Sequence, residues 1–330
     1  MKILVINDIH FSANPPVSRT GNYHECLMRK MCEMAEFSWS WEADLVVVTG
    51  DTFHNKNPNK NPYWLLGEVV RLFRKFHGEL VFLIGNHDWS ENPYKIKDFP
   101  IHYLCELLNA QYNIDSGKIC PQSDIEPIGL VDDSLIGINS DLGSSADSIR
   151  KVCEKEWVYK YRSKILFIHA PIIPPHLEHV YPKPFVEKAI KASDLAGVAD
   201  FIFYGDIHDP HGVYKVGNTT FCNFGSISRN SAKELKSSRN IACAVFDTKD
   251  MSIQAYTLED VEPAEKVFKT IDIMNKKVHE EEIDAFVASL NTSNFSVLTP
   301  DILKEKVDAA PQLEKIDKKV AYSIIDDVTK

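Results

Sequence analysis

The sequence predicts an α/β fold of two packed sheets, and three observations carry that reading. In the first half, apolar runs rich in β-branched residues alternate with amphipathic stretches, the strand, helix, strand order of a right-handed crossover. Five runs end abruptly in Asp, His or Asn. They are Ile3–Ile6 before Asn7-Asp8-Ile9-His10, Leu45–Val48 before Thr49-Gly50-Asp51, Leu80–Ile84 before Gly85-Asn86-His87-Asp88, Ile165–Ile168 before His169, and Phe201–Tyr204 before Gly205-Asp206-Ile207-His208. The second half adds enough further short apolar runs to build a second sheet on the first.

Taken in order, residues 2–6 form the first strand, and Asp8 and His10, two apart, point the same way if that segment stays extended. Alone, Asp-x-His is equally a solvated turn. From His24 to Trp39, Leu27, Met28, Met31, Cys32 and Ala35 keep helical spacing. Met28, Met31 and Met34 are core filler in this reading. Strand 45–48 follows, then a loop at 55–62 whose lysines are either solvated or in reach of a phosphate backbone. Trp64 to Phe76 is a helix, 80–84 a strand and 100–110 a helix. Gly85 lets the backbone come close to whatever the following residues hold. Short apolar pieces between Gly117 and Asp141, including Leu135–Ile138, suggest hairpins, and 145–161 a helix. Strand 165–168 leads to a proline-rich loop ending at Pro184, in which His176 and His179 are read as surface residues. A helix is expected over 185–197 and a strand over 201–204. A hairpin follows around Gly217-Asn218, with strands at 241–246 and 252–256. Val267–Ile273 reads as one more strand. Lys276–Leu290, Pro300–Lys306 and Leu313–Val328 read as charged helices, which divides the chain into a main domain at 1–260 and an accessory cap or docking segment at 261–330.

With 330 residues, 44% hydrophobic and 25% charged, the composition is that of a globular protein with ample core. The start lacks a secretion-signal pattern, and no apolar run approaches the ~20 residues that span a bilayer. Seven scattered cysteines without CxxC spacing argue against structural disulfides and for a reducing cytoplasm. The net charge of −10 opposes non-specific attraction to nucleic acid, although bound divalent cations would reverse the sign locally.

Parallel strands place their carboxyl ends along one edge, where ligands bind. Five ends carrying Asp, His and Asn therefore assemble the composition of a metal site. Two cations ~3.5–4 Å apart are a recurring device for hydrolysing phosphate esters, and such a pair needs a bridging ligand with two oxygens. Asp51 is the expected bridge. Oxygen and imidazole ligands favour Mn, Fe or Zn, and the lack of cysteine among them argues against a structural zinc.

The series Asp8-x-His10, Gly50-Asp51, Gly85-Asn86-His87-Asp88, His169 and Gly205-x-x-His208 resembles the calcineurin-like metallophosphoesterases over roughly residues 1–256. Gly50-Asp51-x-Phe53-His54 and Asn223-Phe224-Gly225-Ser226…Arg229 resemble its SbcD-type branch, the nuclease subunits of DNA-break repair complexes. The resemblance implies a two-sheet β-sandwich flanked by helices (αββα layers). It implies that Asp8, His10 and His208 hold one metal, that Asn86, His169 and Asp206 hold the other, and that Asp51 is shared. His87 would protonate the leaving oxygen, His54 would orient substrate, and Asp88 would steer His87 through a hydrogen bond. The family reads Gly-His-x-His where this chain has Gly205-Asp206-Ile207-His208, so the expectation is a second site retained but shifted toward Mn or Mg, and the alternative is a second site that is weak or empty.

The leading expectation is a two-metal DNA phosphodiesterase, an exonuclease of repair, recombination or replication. Its partner would be an SbcC-like coiled-coil ATPase, since this chain has no Gly-x-x-x-x-Gly-Lys-Ser/Thr run. SbcD-type proteins also pair as homodimers. The alternatives are a nucleotide, cyclic-nucleotide or phosphoprotein phosphoesterase, and a non-catalytic binding subunit that kept the fold.

Overall fold

The computed structural model describes residues 1–89, 96–112, 126–131, 134–139, 145–156, 163–231, 234 and 239–268. The chain divides into two units, Met1–Val267 and Phe268–Lys330. The expected helices after 276 and most of the 261–330 segment lie outside the described residues.

In the first unit, the strands β1 (Lys2–Ile6), β2 (Leu45–Val48), β3 (Glu79–Phe82) and β4 (Gln111–Tyr112) run parallel. The strands β5 (Glu126–Val131), β6 (Ser134–Asn139), β7 (Ser163–His169), β8 (Ile172–Ile173), β9 (Ile190–Lys191) and β10 (Phe201–Gly205) follow. The last are β11 (Gly212–Val216), β12 (Thr219–Asn223), β13 (Ala242–Asp247) and β14 (Ser252–Thr257). Among the described residues, one sheet has the order β14-β13-β1-β2-β3-β4 and a second the order β11-β12-β10-β7-β6-β5, while β8 and β9 pair apart. The helices are α1 (Tyr23–Ser40), α2 (Tyr63–Phe73), α3 (Pro100–Leu108), α4 (Ala146–Glu156) and the short α5 (Lys183–Val186) and α6 (Ala264–Val267).

Strand side chains alternate between faces, and this sorts the apolar residues into three cores. Ile3 and Val5 of β1, Leu45 and Val47 of β2 and Val81 of β3 meet Ile165, Phe167 and Phe203 of the other sheet. Their neighbours Leu4, Ile6, Val46, Val48 and Phe82 face outward and bury Leu27, Met31 and Met34 of α1 and Leu65, Val69 and Phe73 of α2. Leu166, Ile168 and Ile202 pack outward against Ile149 and Cys153 of α4 and Leu195. The result is the αββα layering expected from the sequence.

Three expectations need correction. Residues 185–197 do not form a helix: α5 ends at Val186, β9 pairs with β8, and a 3-10 turn covers Ala192–Leu195. The Ile190 N–H goes to the Pro171 carbonyl at 2.9 Å, so a tertiary partner replaces the helical one. The loop after His169 also contains a 3-10 segment at Pro175–Val180. The strand expected from Val267 is absent at its start, where α6 runs through Val267; residues 269–273 lie outside the described residues.

Candidate metal centre

The carboxyl ends of β1, β2 and β3 in one sheet and of β7 and β10 in the other deliver the acidic and imidazole groups. The segment after β1 is not extended. Asp8 has φ 47° and His10 φ 57°, and both are left-handed. His10 N–H donates to the Asp51 carbonyl and Phe11 N–H to that of Thr52, both at 2.8 Å, locking the two strand exits side by side. Asp51 (φ 50°) and Asp206 (φ 86°) are left-handed too. Four of the seven non-glycine residues with positive φ among the described residues are therefore ligand candidates, the clustering of strain that functional sites show. Two glycines make room. A Cβ on Gly85 would overlap the Asp51 carboxylate, and one on Gly50 (φ +97°) would overlap the His169 ring.

Ligand atoms of Asp8, His10, Asp51 and His208 all lie within 4.8 Å of one another. His10 Nε2 and His208 Nε2 face each other at 2.9 Å, and Asp51 Oδ2 is 3.5 Å from His10 Nε2. The other Asp51 oxygen, Oδ1, lies 3.6 Å from His169 Nε2, and Asp206 Oδ1 lies 3.7 Å from the same nitrogen. His169 Nδ1 donates to the Thr49 carbonyl at 2.7 Å, so Nε2 is the nitrogen left to ligate. That nitrogen is buried without a hydrogen-bond partner, as is Asp8 Oδ2. Facing two carboxylate oxygens, that nitrogen needs positive charge, which its own proton supplies in the free protein and a bound cation would supply in its place. Separations of 3.5–3.7 Å exceed a hydrogen bond, yet fit two atoms each ~2.1 Å from a shared cation. The Asp8, His10, Asp51 and His208 donor set fits a divalent cation, and Asp51 Oδ1 turns away from it toward His169.

The electrostatics agree. Burial, reinforced by the neighbouring His208, His87 and His54, holds His10 well below the ordinary imidazole value; burial also brings His208 down to about 4. Both rings are thus neutral and free to ligate. Burial pushes Asp8 up to about 8, and it raises Asp206, against the pull of His169. His169 is raised to about 9: its burial is outweighed by the Asp51, Asp8 and Asp206 carboxylates acting together.

His54 and His87 stack beside this cluster with ring centroids 5.5 Å apart, and their ring nitrogens with that of His10 form a second close group. That group has no carboxylate to offset a divalent charge, so the Asp8, His10, Asp51 and His208 group is the better cradle. His87 Nδ1 bonds the His54 carbonyl at 2.8 Å, which leaves its Nε2 for other work. Asp88 does not orient the His87 ring. Its carboxylate accepts from the backbone N–H groups of Phe53 (2.9 Å), Gly85 (3.0 Å) and Thr52 (3.1 Å), tying the β2 and β3 exits together. Asn86 is exposed at the rim, with its carbonyl accepting from Lys56 Nζ at 3.2 Å. Its side chain has no described contact with the His169 group.

Sequence reasoning missed Thr49, whose backbone carbonyl fixes the His169 tautomer and which no side-chain pattern reveals. It also missed Asn7, whose amide donates to the Tyr204 carbonyl at 2.6 Å and joins the two sheets behind the site.

The family description Calcineurin-like phosphoesterase matches residues 1–210. The fold is similar to a structure described as a novel archaeal phosphodiesterase, 12% identical over 78% of this chain and 100% of that one, with a TM-score of 0.40. It is similar also to a 5'-nucleotidase precursor from Thermus thermophilus, 11% identical over 87% of this chain and 59% of that one, with a TM-score of 0.46. No curated protein matches the chain. Five strand ends around one cradle, in the span the family occupies, lead to one conclusion: this chain belongs to the calcineurin-like phosphoesterases, metal-dependent hydrolases of phosphate esters.

Proposed function

We propose that the chain is a two-cation phosphodiesterase that hydrolyses DNA, an SbcD-like exonuclease using Mn. The observation that carries the choice of a polymeric diester is Lys56. Its ammonium donates to the Asn86 carbonyl at 3.2 Å, at the rim of the centre. The loop bearing it is stiffened by Asn55, Asn57 and Asn61, whose side chains bond Asn57 N–H, Asn59 N–H and the carbonyls of Asn55 and Asn57. A cation at this rim would meet a neighbouring phosphate of a strand, a contact that a lone monophosphate lacks.

Asp8, His10 and His208 would hold one cation, His169, Asp206 and Asn86 the other, and Asp51 both. When bound, the cations supply Lewis-acid chemistry, polarising the phosphate and making water acidic enough to attack. His87, anchored at Nδ1, presents Nε2 to the leaving oxygen and, in its doubly protonated form, would give it a proton. His54 packs along His87 and narrows the approach of the substrate. ATP-driven steps would need a partner of the coiled-coil ATPase type, for which we assign the charged stretch after 276 as the docking element.

Side-by-side turnover of single-stranded DNA, double-stranded DNA and small phosphodiesters with added Mn tests the proposal. Faster turnover of DNA, lost in Lys56→Ala more than for small diesters, supports it. Turnover of small substrates alone would contradict it. The net charge of −10 favours that second reading, a nucleotide or small-diester phosphoesterase.

A further inference from the structure

Behind the cation-facing side chains lies a second layer of buried charge that no role above explains. The segment from Asn223 to Arg229 leaves β12 and passes between the exits of β1 and β10, which belong to different sheets. Ser226 bonds both: its Oγ donates to the Asp8 carbonyl at 2.7 Å, and its N–H to the His208 carbonyl at 3.1 Å. Ile227 N–H donates to the Asn7 carbonyl at 3.0 Å. The approach is close enough that a Cβ on Gly225 would lie 2.5 Å from the His208 carbonyl oxygen.

The far side of this segment is gripped by two basic side chains. Arg239 Nη1 donates to the Ser226 carbonyl at 2.8 Å and Nη2 to that of Ser228 at 2.9 Å. Lys30 Nζ, from the middle of α1, donates to the intervening Ile227 carbonyl at 2.9 Å. Arg239 is itself fixed by Glu234, which takes its Nε at 3.0 Å and also pairs with Arg229. Arg239 is 9% exposed, Glu234 6% and Lys30 3%.

The two sheets meet through apolar side chains, and apolar packing is non-directional. It does not by itself set a spacing such as the 2.9 Å between His10 Nε2 and His208 Nε2. A planar guanidinium holding two carbonyls in one fork does fix a spacing, and the fork is a geometry that lysine lacks. We infer that Arg239 is a positioning residue of the metal centre: through its fork on Ser226 and Ser228 it sets how far apart the Asp8 and His208 strand exits lie, and so the affinity of the cation position between them. The inference rests on the metal reading of the centre. Arg239 touches neither cation nor substrate.

The test is Mn titration of the metal-free full-length protein, followed by calorimetry and by electron paramagnetic resonance, with wild type, Arg239→Lys and Ser226→Ala. Arg239→Lys keeps the buried charge and loses the fork. Ser226→Ala removes the tie to Asp8 and leaves every buried ion pair in place. In folded protein, both variants are expected to lose about tenfold or more in affinity at one of two positions, the range seen when groups supporting metal ligands are removed. The second position keeps its wild-type affinity, and the coupled-pair signal gives way to an isolated-ion signal at low loading. Affinity equal to wild type in both variants, or equal loss at both positions, overturns the inference. Should Arg239→Lys fail to fold, Ser226→Ala decides alone. Wild type that binds no Mn would instead overturn the metal reading from which the inference starts.

Discussion

The two oxygens of Asp51 point in different directions, Oδ2 toward His10 and Oδ1 toward His169, and Oδ1 also accepts the His87 N–H at 2.8 Å. That placement depends on the absence of a side chain at Gly85, where a Cβ would overlap the carboxylate. Gly85→Ala is therefore expected to displace Asp51 and lower Mn affinity with little change in secondary structure; calorimetry and circular dichroism together check it. His87 is predicted to behave in the opposite way. His87→Ala should leave bound metal unchanged while turnover falls about 10²–10⁴-fold, the usual worth of a positioned proton donor. Metal analysis alongside a turnover assay separates the two outcomes, and unchanged turnover would remove His87 from the chemistry. The residue types were legible because a charged group directly after a buried strand has no packing reason to be there. Their backbone was not: an extended Asp8-x-His10 was the natural expectation, whereas both residues are left-handed where the His10 and Phe11 N–H groups reach the Asp51 and Thr52 carbonyls.

At the scale of the element, α1 shows what burial costs. Lys30 lies inside the helix's packed face, and burial, with Arg19, Arg229 and Arg239 nearby, lowers its pKa from 10.5 to about 7. The unfolded chain keeps this proton up to 10.5, whereas the folded chain releases it near 7. Between those values the unfolded state binds more protons, so stability rises with pH across that window and the penalty is complete below it. Lys30→Met should remove this slope, worth up to about 5 kcal/mol at ~1.4 kcal/mol per pH unit. Urea unfolding at pH 7 and pH 10 of both proteins reads it out. A slope identical to wild type would count against a proton-releasing Lys30. Periodicity made α1, α2 and α3 legible. It failed over 185–197, where the apolar spacing suits a helix but the bond from Ile190 to Pro171 draws the chain into β9. Arg239 was hidden for a related reason. Its partners Ser226 and Ser228 lie more than ten residues away, and nothing local marks a buried arginine.

Over the whole of the first unit, three apolar cores hold the sheets and helices without any metal. Chelation is thus expected to abolish turnover while preserving the far-ultraviolet spectrum. It should lower the unfolding midpoint by several degrees, because saturating cation at a hundred times its Kd contributes about 2.7 kcal/mol. Loss of secondary structure on chelation would contradict a preformed scaffold. The layers were legible from alternation along the strands, as was the convergence of their ends. What sequence could not supply was the join between the sheets, made by Asn7 and Ser226 through backbone atoms that carry no signature. The central claim is that one carboxylate serves two cations, and the most direct measurement is the number of Mn ions bound per chain in wild type and in Asp51→Ala. The account predicts two in wild type and loss from both positions in the variant. Two ions retained in Asp51→Ala, or loss confined to one position, would contradict it.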